Sequence, residues 1–228
     1  MARIGDSLLG KRVVVTQSRE FMGPALCEAF SAHGAVVIAD ERALAEPPIA
    51  EEMVAAAGHV DVLIANLAIP APNTRAHEVT DDEFRTVFAH LVDPLPRLFR
   101  AVLPQMIERG AGKIVVMGSA TAFRGQRRTS TYSAARGAQV AYVRAVGAEV
   151  APANVHVNLI AQNFVDNATY YPPEVQALPA FQERLKREVP IGRLATREED
   201  ALFAVFLASS EVNFFVGQSF PFSGGWAT

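Results

Sequence analysis

Tyr132 and Arg136 stand four residues apart in the run Ser130-Thr131-Tyr132-Ser133-Ala134-Ala135-Arg136. On a helix this spacing puts both side chains on one face, one turn from each other. A free phenol titrates near ~10, and a close permanent cation favours its ionised form. The pair is therefore a way to make a base. Upstream, Ser119 follows the apolar run Lys113-Ile114-Val115-Val116-Met117-Gly118 and offers a hydroxyl that can hold a substrate oxygen. Taken alone, the Tyr–Arg spacing more readily fits a half-buried helix tyrosine beside a solvated charge. The surrounding elements decide between the two.

Those elements alternate short β-branched runs with helix-length segments. Strands are expected at 12–16, 35–39, 60–65 (closing on Asn66), 113–117, 155–160 and 219–222, and helices at 23–33, 51–57, 131–150, 179–188 and 198–209. A long helical region, 81–108, enters through Thr80-Asp81-Asp82-Glu83, which suits a capping box. Pro94 and Pro96 should bend or interrupt it. Continuous apolar strands separated by helices imply an α/β fold: a doubly wound, Rossmann-like parallel sheet with helices on both faces and right-handed connections. Ligands of such a sheet bind beyond the carboxyl ends of its strands. Thr16, Asn66, Ser119 and Asn163 fall at those ends, and Tyr132 enters on the helix after the fourth strand.

Composition narrows the function classes. With 228 residues, a single domain over 1–228 is expected. Half of the residues are hydrophobic, and a net charge of −3 gives no electrostatic case for nucleic acid or an anionic membrane. Cys27 is the one cysteine and the five histidines are scattered, so neither an intrachain disulfide nor a metal site is expected. The first residues carry no apolar signal core and no stretch suits a membrane span, so a cytoplasmic enzyme is expected.

Ser119, Tyr132 and a basic residue four on, with Asn66-Leu67-Ala68 and the closing Ser223-Gly224-Gly225, resemble the short-chain dehydrogenase/reductase family over nearly the whole chain. In that family the basic residue is Lys and the first turn reads T-G-x-x-x-G-x-G. Here the turn is Thr16-Gln17-Ser18-Arg19-Glu20-Phe21-Met22-Gly23. The missing glycines would make the tight turn and admit a pyrophosphate. Gln17 and Phe21 should exclude a dinucleotide, leaving Asp40 as a remnant or a structural cap. The pairing of T-x-x-x-x-F-x-G with Ser…Tyr-x-x-x-Arg closely resembles the halohydrin dehalogenases, cofactor-free relatives of the reductases. The likeness extends through Ile160-Ala161-Gln162-Asn163-Phe164-Val165 and Tyr170-Tyr171-Pro172, although some members have Pro where this chain has Gln162.

That resemblance implies an intramolecular displacement. Tyr132, with Arg136 beside it, takes the hydroxyl proton of a vicinal haloalcohol. Ser119 holds the oxygen, halide leaves and an epoxide forms. The reverse reaction opens epoxides with small anions such as azide, cyanide or nitrite. No cofactor and no metal are implied, and the assembly implied is a homotetramer, a dimer of dimers. Phe84, Phe88, Leu91 and Leu98 fit helix pairing between subunits, or ordinary core. The leaving halide needs a neutral donor site, and backbone N–H groups in a turn suit it. Those of Phe164 and Val165 are expected, walled by Phe21, Asn163 and Tyr171. Thr121 and Phe123 are expected to face substrate, and Trp226 either lines the pocket or closes the C-terminal segment. A long C-terminal extension is absent, so substrate contacts depending on one should be missing. Asn66 should stabilise the turn after its strand, and Arg124, Arg127 and Arg128 should mark a solvated loop near the entrance. Two rivals stand beside this reading: an NAD(P)-dependent oxidoreductase and an inactive binding homologue.

Overall fold

The computed structural model describes residues 3–228. Its strands are β1 (Arg12–Val15), β2 (Val36–Ala39), β3 (Val62–Asn66), β4 (Gly112–Ser119), β5 (Val155–Gln162) and β6 (Ser219–Phe222). All neighbours pair in parallel, in the order β2-β1-β3-β4-β5-β6. The chain reverses its direction across the sheet after β2, so the switch point lies between β1 and β3. Central strands β3 and β4 are buried along their whole length, as continuous apolar runs require. The edge strand β2 is half-buried to exposed.

Helices α1 (Gly23–Ala32) and α8 (Arg197–Ala208) pack on one face, around Leu26, Phe30, Ala204 and Val205. Helices α2 (Pro47–Ala57), α3 (Asp81–Leu91), α4 (Pro94–Arg109) and α5 (Ser130–Val150) cover the other. A third apolar cluster, with Phe164, Phe181, Leu185 and Trp226, lies with the short α6 (Pro173–Gln176) and α7 (Pro179–Glu188). Helix α2 starts four residues before its expected start, because Pro47 and Pro48 suit the first turn, where no N–H partner is needed.

The long region 81–108 is two helices. Helix α3 ends at Leu91, and Pro94 opens α4 at a position where its missing N–H costs nothing. Only half of the expected capping box forms at Thr80. Its hydroxyl accepts from the Glu83 N–H at 3.1 Å, while the Glu83 carboxylate turns away to accept from Thr131 Oγ1 at 2.8 Å. A capping box closes instead at α8, between Thr196 and Glu199. Leu91 and Leu98 are core residues of the subunit itself, whereas Phe84 stays exposed and stacks on Phe88. Among the described residues, no helix is long and apolar enough to cross a membrane. No cluster of three His, Cys, Asp or Glu side chains there could hold a metal ion.

Candidate active site

A cavity of about 250 Å³ opens beyond the carboxyl ends of the strands, lined by Ser119, Tyr132, Arg136 and the loops after β1, β3 and β5. Helix α5 fixes the pair at its centre. Arg136 Nη2 donates to Tyr132 Oη at 3.0 Å, and the guanidinium lies 4.9 Å from the Tyr132 ring centre. The tyrosine ring belongs to the core beneath α5 while its hydroxyl meets the cavity. Both residues are buried.

The surroundings of Arg136 carry the electrostatic argument. Its remaining bonds go to Met117 O (3.0 Å), Leu67 O (3.2 Å) and Gln139 Oε1 (3.0 Å), and its Nε has no partner among the described residues. None of these partners is a carboxylate. A guanidinium cannot shed its proton, and burying an uncompensated charge is costly. The arrangement leaves a permanent positive charge beside the Tyr132 hydroxyl with no carboxylate bonded to balance it. Gln139, fully buried, passes the support on by donating to Leu91 O at 2.6 Å. The sequence reading missed Gln139, although its place one turn after Arg136 was the available signal.

Ser119 closes β4, with Gln162 of β5 as its register partner. Its Oγ lies 3.0 Å from Thr121 Oγ1 and accepts a longer bond from the Thr121 N–H at 3.3 Å. Thr121 thus steadies the serine and also borders the cavity.

The turn after β1 keeps the shape that glycines usually serve. Gln17 has φ 43° and Phe21 φ 48°, in the left-handed region where a side chain costs roughly 1–2 kcal/mol. Polar bonds hold them there. Gln17 Oε1 accepts from the Ala68 N–H at 2.8 Å, Thr16 Oγ1 donates to Asn66 O, and Asn66 Nδ2 donates to Gln17 O and Glu20 O, each at 3.0 Å. Asn66 therefore braces the turn after β1 rather than the one after its own strand. Gly23 alone keeps its glycine, because a Cβ there would strike the backbone of Gln17 and Ser18. The Phe21 ring faces the cavity and packs 5.4 Å from Tyr170. Asp40 is tied to Arg42 through a 2.7 Å ion pair, and acts as a local brace.

The loop after β5 differs in detail from expectation. Phe164 is also left-handed, at φ 55°. Its N–H is taken by Asn163 Oδ1 at 2.9 Å, so it is committed within the loop. The Val165 N–H and Asn163 Nδ2 meet no protein acceptor among the described residues. Tyr171 stacks on Phe164 at 6.0 Å, and burial pushes its phenol up to about 12. Phe21, Asn163, Phe164, Val165 and Tyr171 all line the cavity.

Phe123, expected to face substrate, does not, and of the two places open to Trp226 the structure gives the one away from the cavity. Phe123 turns back into the apolar clusters, and Trp226 sits behind the wall, edge-on to Phe164 at 6.1 Å under the Arg124 guanidinium. Apolar rings at these positions gain more by packing against Phe164 and Phe181 than by facing a polar cavity. Arg127 and Arg128 are exposed as expected. Arg184 of α7 reaches the cavity, pairs with Glu188 at 3.1 Å and lies 5.5 Å over the Phe164 ring. Nothing in its sequence context marks it. Asp200 of α8 is fully buried beneath the same loop and holds the Gln162 amide, with its Oδ1 unpartnered. Burial pushes its carboxyl up to about 7, against the opposing pull of the Gln162 bond.

The chain matches a family model described as enoyl-(acyl carrier protein) reductase over residues 35–227. It is 31% identical, over 195 residues, to 2-dehydro-3-deoxy-L-rhamnonate dehydrogenase (NAD(+)) of Sphingomonas sp. (strain SKA58), covering 85% of this chain and 76% of that protein. Two solved structures superpose closely. One, described as a dehalogenation enzyme, has a TM-score of 0.90 and 28% identity over 97% of this chain and 100% of that one. The other, a halohydrin dehalogenase (HheC) bound to ethyl (2S)-oxiran-2-ylacetate, has a TM-score of 0.88 and 26% identity over 96% and 98% of the two chains.

Proposed function

Within the short-chain dehydrogenase/reductase family, to which this chain belongs, we propose that it is a halohydrin dehalogenase working without a nicotinamide cofactor. The observation that carries this reading is the coexistence of two features. The Ser119–Tyr132–Arg136 oxygen site is assembled, while the turn that would receive a dinucleotide is filled by side chains. Gln17 is bonded beneath Ala68 and Phe21 projects its ring into the cavity. A pyrophosphate needs that turn's bare backbone, and the residues present do not fit one. The similarity to the two dehalogenase structures points the same way. The NAD-dependent relative favours an oxidoreductase instead, and that is the rival to test.

In the proposed reaction Ser119 Oγ holds the substrate oxygen and Tyr132 takes its proton. The alkoxide attacks the neighbouring carbon, the carbon–halogen bond breaks and halide leaves as the anion. Arg136 compensates the charge that Tyr132 carries before the transfer, and as an arginine it cannot titrate in step. The anion is received by neutral donors, the Val165 N–H and Asn163 Nδ2, between the rings of Phe21, Phe164 and Tyr171. A neutral site binds halide weakly enough to release it. In reverse, Tyr132 returns the proton while azide, cyanide or nitrite opens the epoxide. Assembly into a homotetramer, as the resemblance implies, is part of the same proposal.

The test is halide release from a vicinal bromoalcohol by purified protein with no nicotinamide present. Absence of release together with nicotinamide-dependent turnover of a hydroxyacid or ketone would establish the rival. A companion prediction concerns the wall. Phe21→Gly is expected to weaken bromide binding about tenfold, a loss of roughly 1.4 kcal/mol, and to leave nicotinamide turnover absent. Trp226, the sole tryptophan, packs on Phe164 of the anion loop and so reports binding by fluorescence. Unchanged bromide affinity would remove Phe21 from the anion site.

A further inference from the structure

Two guanidinium groups reach the cavity, and no aspartate or glutamate stands among its described lining residues. The two are committed very differently. Arg136 uses both Nη groups: Nη1 on Met117 O and Gln139, Nη2 on Leu67 O and Tyr132. Arg184 of α7 uses neither. Its Nε donates to Glu188 Oε2 at 3.1 Å, while its Nη1 and Nη2 meet no protein acceptor among the described residues. Glu188 balances that charge only in part, because its other oxygen accepts from Arg187 at 3.1 Å. One carboxylate thus serves two guanidinium groups.

The place of the Arg184 group is set by packing. Phe181 and Leu185 hold α7 in the apolar cluster of Phe164 and Trp226. The guanidinium carbon lies 5.5 Å from the Phe164 ring centre, and attraction to the ring favours that placement. A planar fork with two uncommitted Nη groups matches the two oxygens of a carboxylate. A halide is a single atom and cannot use the fork in this way.

We propose that Arg184 selects substrates that carry a carboxylate, so that the preferred haloalcohols are short halohydroxy acids and their products epoxy acids. The reaction it serves rests on the dehalogenase reading; the capture of a carboxylate in this cavity does not. A cavity of about 250 Å³ suits a small acid of this kind. The displacement itself is unaltered. Tyr132 takes the hydroxyl proton, the alkoxide forms the new carbon–oxygen bond, the carbon–halogen bond breaks and halide departs with its electron pair. The carboxylate stays ionised and bonded to Arg184 throughout.

The test compares 4-chloro-3-hydroxybutanoate with 4-chloro-3-hydroxybutanamide, which differ little in shape and by one charge. The acid is expected to be favoured about tenfold in kcat/KM, and Arg184→Gln should remove that preference. Arg184→Lys keeps the charge without the fork and should keep part of it. A ratio taken within one variant cancels any general damage from the lost contact with Phe164. The same ratio in the parent and in Arg184→Gln overturns the proposal.

A second measurement is independent of turnover. In calorimetric titrations the unreactive 3-hydroxybutanoate should bind about tenfold more tightly than 3-hydroxybutanamide, and Arg184→Gln should abolish the difference. An acid bound no better than the amide overturns the carboxylate site. Arg184→Gln that weakens bromide as much as 3-hydroxybutanoate would place Arg184 in the halide site and overturns it too. Arg184-dependent binding of the acid in a protein that releases no halide upholds the carboxylate site and sinks the dehalogenase reading.

Discussion

Replacing Tyr132 by Phe is expected to lower halide release from a vicinal bromoalcohol by roughly 10²- to 10⁴-fold, the usual worth of a positioned acid–base group. The change removes one oxygen. The ring remains packed in the core under α5, with the Arg136 guanidinium 4.9 Å from its centre. Arg136 loses its bond to the phenol but keeps those to Met117, Leu67 and Gln139. Circular dichroism and the melting temperature should therefore change little, and bromide affinity, which depends on the loop after β5, should be retained. Comparable turnover in Tyr132→Phe would refute the base assignment. A collapse of bromide binding along with the rate would mean that the tyrosine shapes the cavity rather than carrying the proton.

Asp200→Asn should stabilise the protein at neutral and alkaline pH and leave it unchanged near pH 4. The Asp200 carboxyl is fully buried and pushed up to about 7, while in the unfolded chain it titrates near its ordinary ~4. Between those values the native state holds a proton that the unfolded state has released. Stability must then fall as pH rises through this window, and the loss is complete above pH 7. About three units at 1.36 kcal/mol each give a penalty on the order of 4 kcal/mol. Asparagine cannot ionise and still accepts from the Gln162 amide, so the variant escapes the penalty. Urea unfolding at pH 4, 6 and 8 measures it: the gap between variant and parent should widen across the series. Parallel stabilities would mean that Asp200 is ionised in the fold with compensation from water or the α8 terminus. The result bears on the site, because Gln162 precedes Asn163 of the anion loop.

The order of strands and helices was legible because it depends on local properties. Runs such as Val13-Val14-Val15 and Ile114-Val115-Val116 can only be buried strands in a covered parallel sheet. The Tyr132–Arg136 contact was equally legible, since helical spacing alone brings the two together. Edges were less so. The start of α2 and the break at 92–93 depend on which proline opens a helix and which bends one, and packing settles that. Glu83 shows the same limit: its sequence context suits a capping box, yet Thr131 on another helix wins its carboxylate.

Within the site, the sequence by itself determined which groups could do chemistry and at which strand ends they stand. Its resemblance to the reductases also marked Gln17 and Phe21 as standing where that family has glycines, without coordinates. Only the tertiary structure decided how donors and walls are shared out. It committed the Phe164 N–H to Asn163, left Val165 free, and placed Phe123 and Trp226 behind the wall. It also brought Arg184 to the cavity and Asp200 beneath Gln162, neither of which is announced by its neighbours in sequence. The physical reason is common to all of these. Spacing along one element fixes contacts within that element, whereas a hydrogen bond or a buried ring between elements is won in competition among every group that folding brings within reach.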